Sequence, residues 1–336
     1  MEKLRTHTKR HGLLYIISVI ILLFIIAAAT LNYHTIIASR KAFYTSTLEQ
    51  QGLSGLSLYQ EGSSTLVKQY FTEALGTITN LASDQGVQQA AAGSQSAAAL
   101  AILNQQRMIS GQFDSLTIIS GSGKMVAISS NSGNVAPGTD ETQSPAFLAG
   151  KGADSAVLIP VHYSQLNRNV LSVAAPIKDK NGRFIGTVSG AITLASLAQH
   201  VQLSSQYDSA FSTLLTDASG NALVWQNKAV QSISNEVASE PTLKALMRQG
   251  TVPANEEYNL AQVDSFAQGS AVDFGAAGKL YLVSFYDVNE YQKRVNEGMQ
   301  DITTTFSGFI IRDGVLFLLA VVIIGITIRV YEARRA

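Results

Sequence analysis

Two apolar runs near the ends of the chain constrain its fold more than anything between them. Leu13 to Leu31 (LLYIISVIILLFIIAAATL) holds 19 residues without a charge, and the hydrocarbon core of a bilayer takes about 20 such residues at roughly 1.5 Å rise each. Gly314 to Ile328 (GVLFLLAVVIIGITI) holds 15 and follows Phe309-Ile310-Ile311 and the charged pair Arg312-Asp313. Tilt, local thinning and snorkelling of Arg312 and Arg329 cover its shortfall. A buried core helix is the competing reading of so short a run, and the flanking arginines favour a span. The first run has the basic lead-in of a signal peptide, Lys3, Arg5, Lys9 and Arg10. It exceeds the roughly 7 to 15 apolar residues of such peptides, however, and continues into a helical pattern. Two transmembrane helices, at 13–31 and 314–328, are therefore predicted around one large loop.

Lysine and arginine bias sets the orientation. The first 12 residues hold four such charges, and the tail at 329–336 holds Arg329, Arg334 and Arg335, which places both termini in the cytoplasm and residues 32–313 outside it. That outer region has 17 Lys/Arg against 22 Asp/Glu, a net charge of −5. It carries no basic stripe of the kind that binds nucleic acid. The chain has no cysteine, which excludes disulfides, haem attachment and thiolate metal sites.

Within the outer region the periodicity changes twice. The first proline is Pro137, and the sequence to about residue 110 is rich in Ala, Leu, Gln and Ser, the composition of long helices. Leu66/Val67, Tyr70/Phe71, Ala74/Leu75, Ile78 and Leu81 recur at three and four residues and form one buried stripe. A helix is predicted from Leu13 to about Ala91, with a kink at Gly52-Leu-Ser-Gly55, and a shorter one near residues 94–111. After Gly111 the pattern shifts to strands at 113–119, 125–129, 156–162, 170–177 and 184–194, then a short helix at 195–201. Residues 115–130 (SLTIISGSGKMVAISS) and 212–227 (STLLTDASGNALVWQN) align without gaps at an offset of 97. They predict a second, similar module, with a helix at 233–249 and a closing hairpin at 274–286 that turns on Gly275-Ala-Ala-Gly278. Finally Val288, Tyr291, Val295, Met299, Ile302, Phe306 and Phe309 place a stripe on a helix leading into the second span. That stripe fits either a partner helix or packing against the module itself.

Val170 to Leu197, VLSVAAPIKDKNGRFIGTVSGAITLASL, with its Pro-Ile, Asn-Gly turn and Ile-Gly strand opening, resembles the closing hairpin of a known domain family. The double Cache (dCache) sensor domains of bacterial chemoreceptors, sensor kinases and cyclic-dinucleotide enzymes carry it in their membrane-distal module. Tyr207 to Asn227 resembles the start of their membrane-proximal module. The resemblance covers roughly residues 32–310. It implies an α+β fold in which a long N-terminal helix precedes two tandem PAS-like antiparallel-sheet modules, flanked by the two spans. The implied divisions are 32–110 for the long and connecting helices, 111–204 for the distal module, 205–287 for the proximal module and 288–313 for the exit helix. It also implies a parallel homodimer paired through the long helix. Amino-acid-binding members grip their ligand with an Arg-x-Trp pair, a Tyr and an Asp. Here no Arg-x-Trp occurs in or just before the distal module, and the position matched to that Asp is Ala191. Amino-acid specificity is therefore not implied.

No catalytic or metal constellation is present: the five histidines are scattered, and neither His-Glu-x-x-His nor Gly-x-Ser-x-Gly occurs. The adjacent carboxylates Asp140-Glu141 and Glu256-Glu257 read as solvated loop faces. The chain is expected to be no enzyme and to need no cofactor. In the architecture implied by the resemblance, a ligand lies between the distal sheet and the loops at about 130–170. His162, Tyr163 and Arg168 fall there, with Asp154 nearby, and offer a ring donor, an aromatic wall and a fixed cation. The expectation is a small-molecule sensor that signals through the bilayer to a separate cytoplasmic partner, since residues 329–336 hold no output domain. The alternative is a membrane-anchored assembly scaffold built on a degenerate module.

Overall fold

A computed structural model describes the backbone of residues 2–93, 96–131, 136–163, 169–201, 210–225, 228–229, 244, 248, 251–252, 257–260 and 263–333. The chain divides into two compact units, one of residues Met1–Gln51 with Asn289–Ala336, the other Gly52–Val288.

Helix α1 (Glu2–Ser83) runs 82 residues without interruption. Within Gly52–Val288 its inward stripe is Leu56, Tyr59, Val67, Tyr70, Phe71, Ala74, Ile78 and Leu81, all buried, as the three-to-four spacing requires. The helix assignment continues through Gly52 and Gly55, where the sequence suggested a kink. Both glycines serve close packing instead: a Cβ on Gly52 would meet the ring of Tyr286, and one on Gly55 the ring of Phe211. The predicted continuation to Ala91 breaks at Asp84, whose carboxylate accepts the amides of Gly86 and Val87 at 2.8 and 3.1 Å. This is an N-cap, and it starts a separate helix, α2 (Gln85–Ala91). Helix α3 (Ser96–Ser110) ends at Gly111, φ +62°, the left-handed position that favours glycine.

The first sheet is antiparallel, with spatial order β2-β1-β5-β4-β3. Its strands are β1 (Ser115–Ser120), β2 (Met125–Ser130), β3 (Val157–Tyr163), β4 (Asn169–Lys178) and β5 (Phe184–Thr193). Helix α4 (Pro145–Gly152) precedes β3, and α5 (Leu194–Val201) follows β5. All five strands were predicted to within two residues at each end; α4 was not. Side chains alternate between the two faces. Leu116, Ile118, Val188, Ile192, Leu171 and Val173 join Ile78, Phe113 and Leu103 in one core. Gly190 is part of that face because only a residue without a side chain clears the ring of Phe113.

The second sheet runs β10-β11-β12-β6-β7-β8, with β9 also paired to β11. Its strands are β6 (Phe211–Thr216), β7 (Ala222–Trp225), β8 (Lys228–Ala229), β9 (Thr251–Val252), β10 (Glu257–Leu260), β11 (Val263–Asp273) and β12 (Lys279–Asp287). The turn at Gly275–Ala277 is where the sequence placed it, but the strand before it is β11 and not the segment at 274. Glu257 opens β10 instead of lying in a loop. The helix expected at 233–249 falls almost wholly outside the described residues.

The offset of 97 between the two hairpins is matched in detail. Each pair has a register shift at the equivalent place, Ile118/Ile119 and Leu215/Thr216. Each turn closes through the same bond, Ser120 N–H to Lys124 O at 2.8 Å and Asp217 N–H to Asn221 O at 3.0 Å. Each places a glycine at positive φ, Gly123 at +79° and Gly220 at +85°.

Helix α6 (Val288–Ala333) is continuous over 46 residues. In its own unit Tyr291 donates to the carbonyl of Thr45 at 3.0 Å, Tyr291 and Val295 are buried, and Gly298 packs on the ring of Tyr44. The upper part of the predicted stripe thus packs on α1 of the same chain. Among the described residues no helix is long and apolar enough to cross a membrane. Within the two predicted spans, the side chains of residues 13–19, 22, 26, 316, 320, 323, 324, 327 and 328 lie outside the described set.

Candidate functional site

The face of the first sheet turned away from the core is polar. Ser115, Thr117, Ser172, Ser189 and Ala191 alternate with the buried apolar set. The register brings them side by side, Ser115 opposite Ala191, Thr117 opposite Ser189 and Ala191 opposite Ser172. They form the floor of a cavity of about 720 Å³, walled by Ile119, Met125, Ile128 and the segment 140–146. A sheet that needed only to be covered would present apolar residues here; this one presents a row of hydroxyls under an open volume.

A bulge delivers the histidine. Ile159 pairs with Ser172, but His162 pairs with Val170, so three steps along β3 match two along β4. The extra residue lies next to Pro160, which has no N–H to give to the ladder. Regular alternation would have set Val161 on the cavity face; the shift sets His162 there. Its Nδ1 lies 2.9 Å from the Pro160 carbonyl and its Nε2 3.4 Å from Ser172 Oγ. A carbonyl only accepts, so Nδ1 carries the proton and Nε2 presents a lone pair. Burial lowers the imidazole pKa from its ordinary 6.5, and the bond to Pro160 works against that shift. The ring is therefore neutral and an acceptor at neutral pH.

The opposite wall is held by the turn of the first hairpin. Lys124 and Asp140 form a backbone bridge, and the Lys124 ammonium contacts the Asp140 carboxylate at 2.9 Å. Asp140 also accepts from the Thr142 amide and hydroxyl. The Lys124 bond, with those from Thr142, holds the Asp140 carboxyl well below the usual carboxylate range. Glu141 donates its amide to Gly123 O at 2.8 Å and accepts the Ser144 amide at 2.9 Å. Ser144 caps α4 by accepting from the Phe147 amide. These bonds fold the segment over the sheet and bury the Glu141 side chain to 4 % exposure in the cavity wall. The expectation of a solvated acidic pair thus holds for Asp140, whose side chain is 57 % exposed, and is corrected for Glu141.

Of the four residues expected from the sequence, His162 lines the cavity. Asp154 is fully exposed, pairs with Lys178 at 3.5 Å, and is not among the lining residues. The Tyr163 side chain and all of Arg168 lie outside the described residues. Sequence reasoning missed the floor and Glu141. The alternation Ser115-Leu-Thr117-Ile was visible, but which face a helix covers was not. Ala191, where the resemblance would place a carboxylate, lies in the floor, so that position brings no charge to the site. Among the described residues, no group of three His, Asp or Glu side chains could hold a metal ion.

No family model matches the chain, and no curated protein does. Solved structures do. The ligand-binding domain of the Pseudomonas fluorescens chemoreceptor CtaA, in complex with L-alanine, is similar at TM-score 0.54 and 17 % identity, over 70 % of this chain and 96 % of that one. Its complex with L-isoleucine gives TM-score 0.56 and 16 % identity over 74 % and 98 %. The ligand-binding domain of the Campylobacter jejuni chemoreceptor Tlp3, in complex with L-norvaline, gives TM-score 0.56 and 15 % identity over 74 % and 95 %. A long N-terminal helix carrying two antiparallel sheets is thus the double Cache fold of chemoreceptor ligand-binding domains, and this chain has that fold.

Proposed function

We propose that the chain is a membrane-anchored receptor whose outer domain binds a small molecule in the cavity of its distal module, residues 111–204, and passes a conformational signal across the bilayer. The observation that carries this reading is the cavity itself: about 720 Å³ over a row of hydroxyls, closed on one side by a bulged histidine and on the other by a buried carboxylate. An assembly scaffold would have no use for such a volume, and filling it with apolar side chains would gain stability. The solved ligand complexes of the same fold favour binding over catalysis, and no enzyme activity is proposed. His162 is the proposed ligand contact retained from the sequence, with Tyr163, the last residue of β3, and Arg168, which follows it in the chain, as a proposed outer wall; Asp154 stays with its Lys178 partner.

Two spans anchor the domain in this reading, with both termini cytoplasmic and the proximal module, 205–287, next to the membrane. Exposed apolar side chains along the helices support it: Leu23, Phe24 and Leu31 on α1, and Phe317, Leu318 and Val322 on α6. Water would be a costly neighbour for such a surface, whereas lipid would not. A parallel homodimer and a separate cytoplasmic signalling partner complete the proposal. In membranes, single cysteines walked from Ile36 to Gln60 should cross-link with a period of three to four residues.

The test of ligand binding is the melting temperature of the full chain in lipid nanodiscs against a panel of amino acids, amines, carboxylates, purines and sugars. A ligand at 100 times its Kd stabilises by about 2.7 kcal/mol. At least one compound should raise the melting temperature in a saturable way; a panel without effect would count against the receptor reading.

A further inference from the structure

We infer that Gln60 is a latch with two seats, by which helix α1 holds either of two positions on the second sheet. The face of that sheet under α1 is built of rows that cross β11, β12 and β6 in register. Phe266, Tyr286 and Phe211 form an aromatic row, and Gly52 and Gly55 of α1 pack on the last two of its rings. Two residues along each strand, and so on the same face, Gln268, Ser284 and Thr213 form a polar row. Ser270, Leu282 and Leu215 form the next. The polar row faces the helix, because the Thr213 hydroxyl donates to the Tyr59 hydroxyl at 3.2 Å.

Gln60 lies between two rows and serves one of them. Its Nε2 donates to Ser270 Oγ at 2.8 Å and to the Leu282 carbonyl at 3.2 Å, which engages both amide hydrogens. Its Oε1 is buried without a hydrogen-bond partner among the described residues, and so is the hydroxyl of Ser63, three residues along the same helix. In the neighbouring row Ser284 Oγ and Gln268 Oε1 are in the same condition. Buried polar atoms are normally paired, and leaving them unpaired is costly. The Ser284 hydroxyl and the Gln268 carbonyl oxygen are two acceptors. They match the two hydrogens of Gln60 Nε2 as Ser270 Oγ and Leu282 O do in the seat it occupies. The rows lie about 7 Å apart along the strands. The flexible arms of Gln60 and Gln268 span most of that distance, and a slide of α1 on the order of 1 to 2 Å completes it.

The slide can originate at the first sheet. Helix α1 is continuous, and its Ala74, Ile78 and Leu81 share a core with Leu116, Ile118 and Val188 of that sheet. A displacement of α1 there reaches Gln60 through the helix itself. Two discrete seats convert a small slide into a choice between two arrangements, because packed interfaces are bistable and do not deform continuously.

The test needs no ligand, so its outcome is independent of the receptor reading. Solid-state NMR of the full chain in lipid bilayers, with 15N-labelled glutamine, observes the side-chain amides, and the Gln60 signal is identified by its loss in Gln60→Met. In the native chain this amide should give two signals, or one signal whose exchange between seats relaxation dispersion detects. Ser284→Ala should shift the population toward the Ser270 seat by about threefold or more, and Ser270→Ala should shift it the other way. The two variants therefore move an averaged signal in opposite directions. A Gln60 signal that Ser284→Ala leaves in place would overturn the inference, as would one that both variants move in the same direction. One sharp native signal without dispersion would overturn it whether or not the variants fold, and would mean that trapped water satisfies the seam around a fixed glutamine.

Discussion

Lys124 and Asp140 meet twice, through a backbone bridge and through an ion pair at 2.9 Å, and this double contact turns a surface loop into a cavity wall. Both side chains are more than half exposed, so their worth lies in placing the segment and not in overall stability. Asp140→Ala removes the acceptor of the Thr142 amide. Hydrogen exchange at Thr142 and Glu141 should become faster, with little change in melting temperature. Unchanged exchange would mean that the bond from the Glu141 amide to Gly123 holds the segment alone.

The buried neutral state of His162 makes stability depend on pH. Its native pKa lies below the 6.5 of the unfolded chain, so the unfolded state takes up the proton first as pH falls. The contribution of the neutral ring is complete above pH 6.5 and is lost progressively as pH drops toward and through the native pKa. Between about pH 7 and about pH 5 the native protein should lose more melting temperature than His162→Gln. Parallel curves would show that the imidazole does not titrate differently on folding. Glu141, Asp140 and Lys124 share the cavity wall, so the comparison with the variant is what isolates the histidine.

Gly190 is a point of close approach between the first sheet and the segment that leads into β1. Any Cβ there meets the Phe113 ring, with Ile78 beyond it, and both neighbours are buried. Gly190→Ala should cost about 1 to 3 kcal/mol through overpacking. Adding Phe113→Leu should return part of that loss, a coupling that a double-mutant cycle measures. Additive effects would place the strain elsewhere.

The distal strands were legible in the sequence because their alternation is local. Leu116 and Ile118 face the core, and Ser115 and Thr117 face the cavity, on nothing more than period two. The proximal sheet was less legible. Strand β11, VDSFAQGSAVD, has a glycine and scattered polar residues and owes its conformation to nine paired positions along β12. Gly52 and Gly55 read as a kink because the rings that need them, Tyr286 and Phe211, come more than 150 residues later. Glu141 read as solvated for the same reason. Its burial follows from a backbone bond to Gly123 across the hairpin turn, which no local pattern announces. His162 was found, but through resemblance; the bulge that aims it is set by pairing with β4.

Topology is open to direct labelling because the chain has no cysteine of its own. Single probes at Ser132→Cys and Ala336→Cys in intact cells should react with an impermeant thiol reagent at position 132 only. Labelling at 336 would overturn the proposed orientation, and labelling at neither position would place the module on the inner side of the membrane.

The central claim is that the polar face of the distal sheet is a ligand floor. Ser189 lies in its middle, on β5, opposite Thr117 and Ala174, and its side chain borders the cavity. Ser189→Phe fills that volume from the floor without touching the core face, where Val188 and Gly190 pack. The decisive measurement is the ligand-induced rise in melting temperature of the native chain and of Ser189→Phe, using the panel compound that stabilises the native chain most. The account predicts a saturable rise in the native chain and its loss in a variant that still melts cooperatively; an equal rise in both would contradict it.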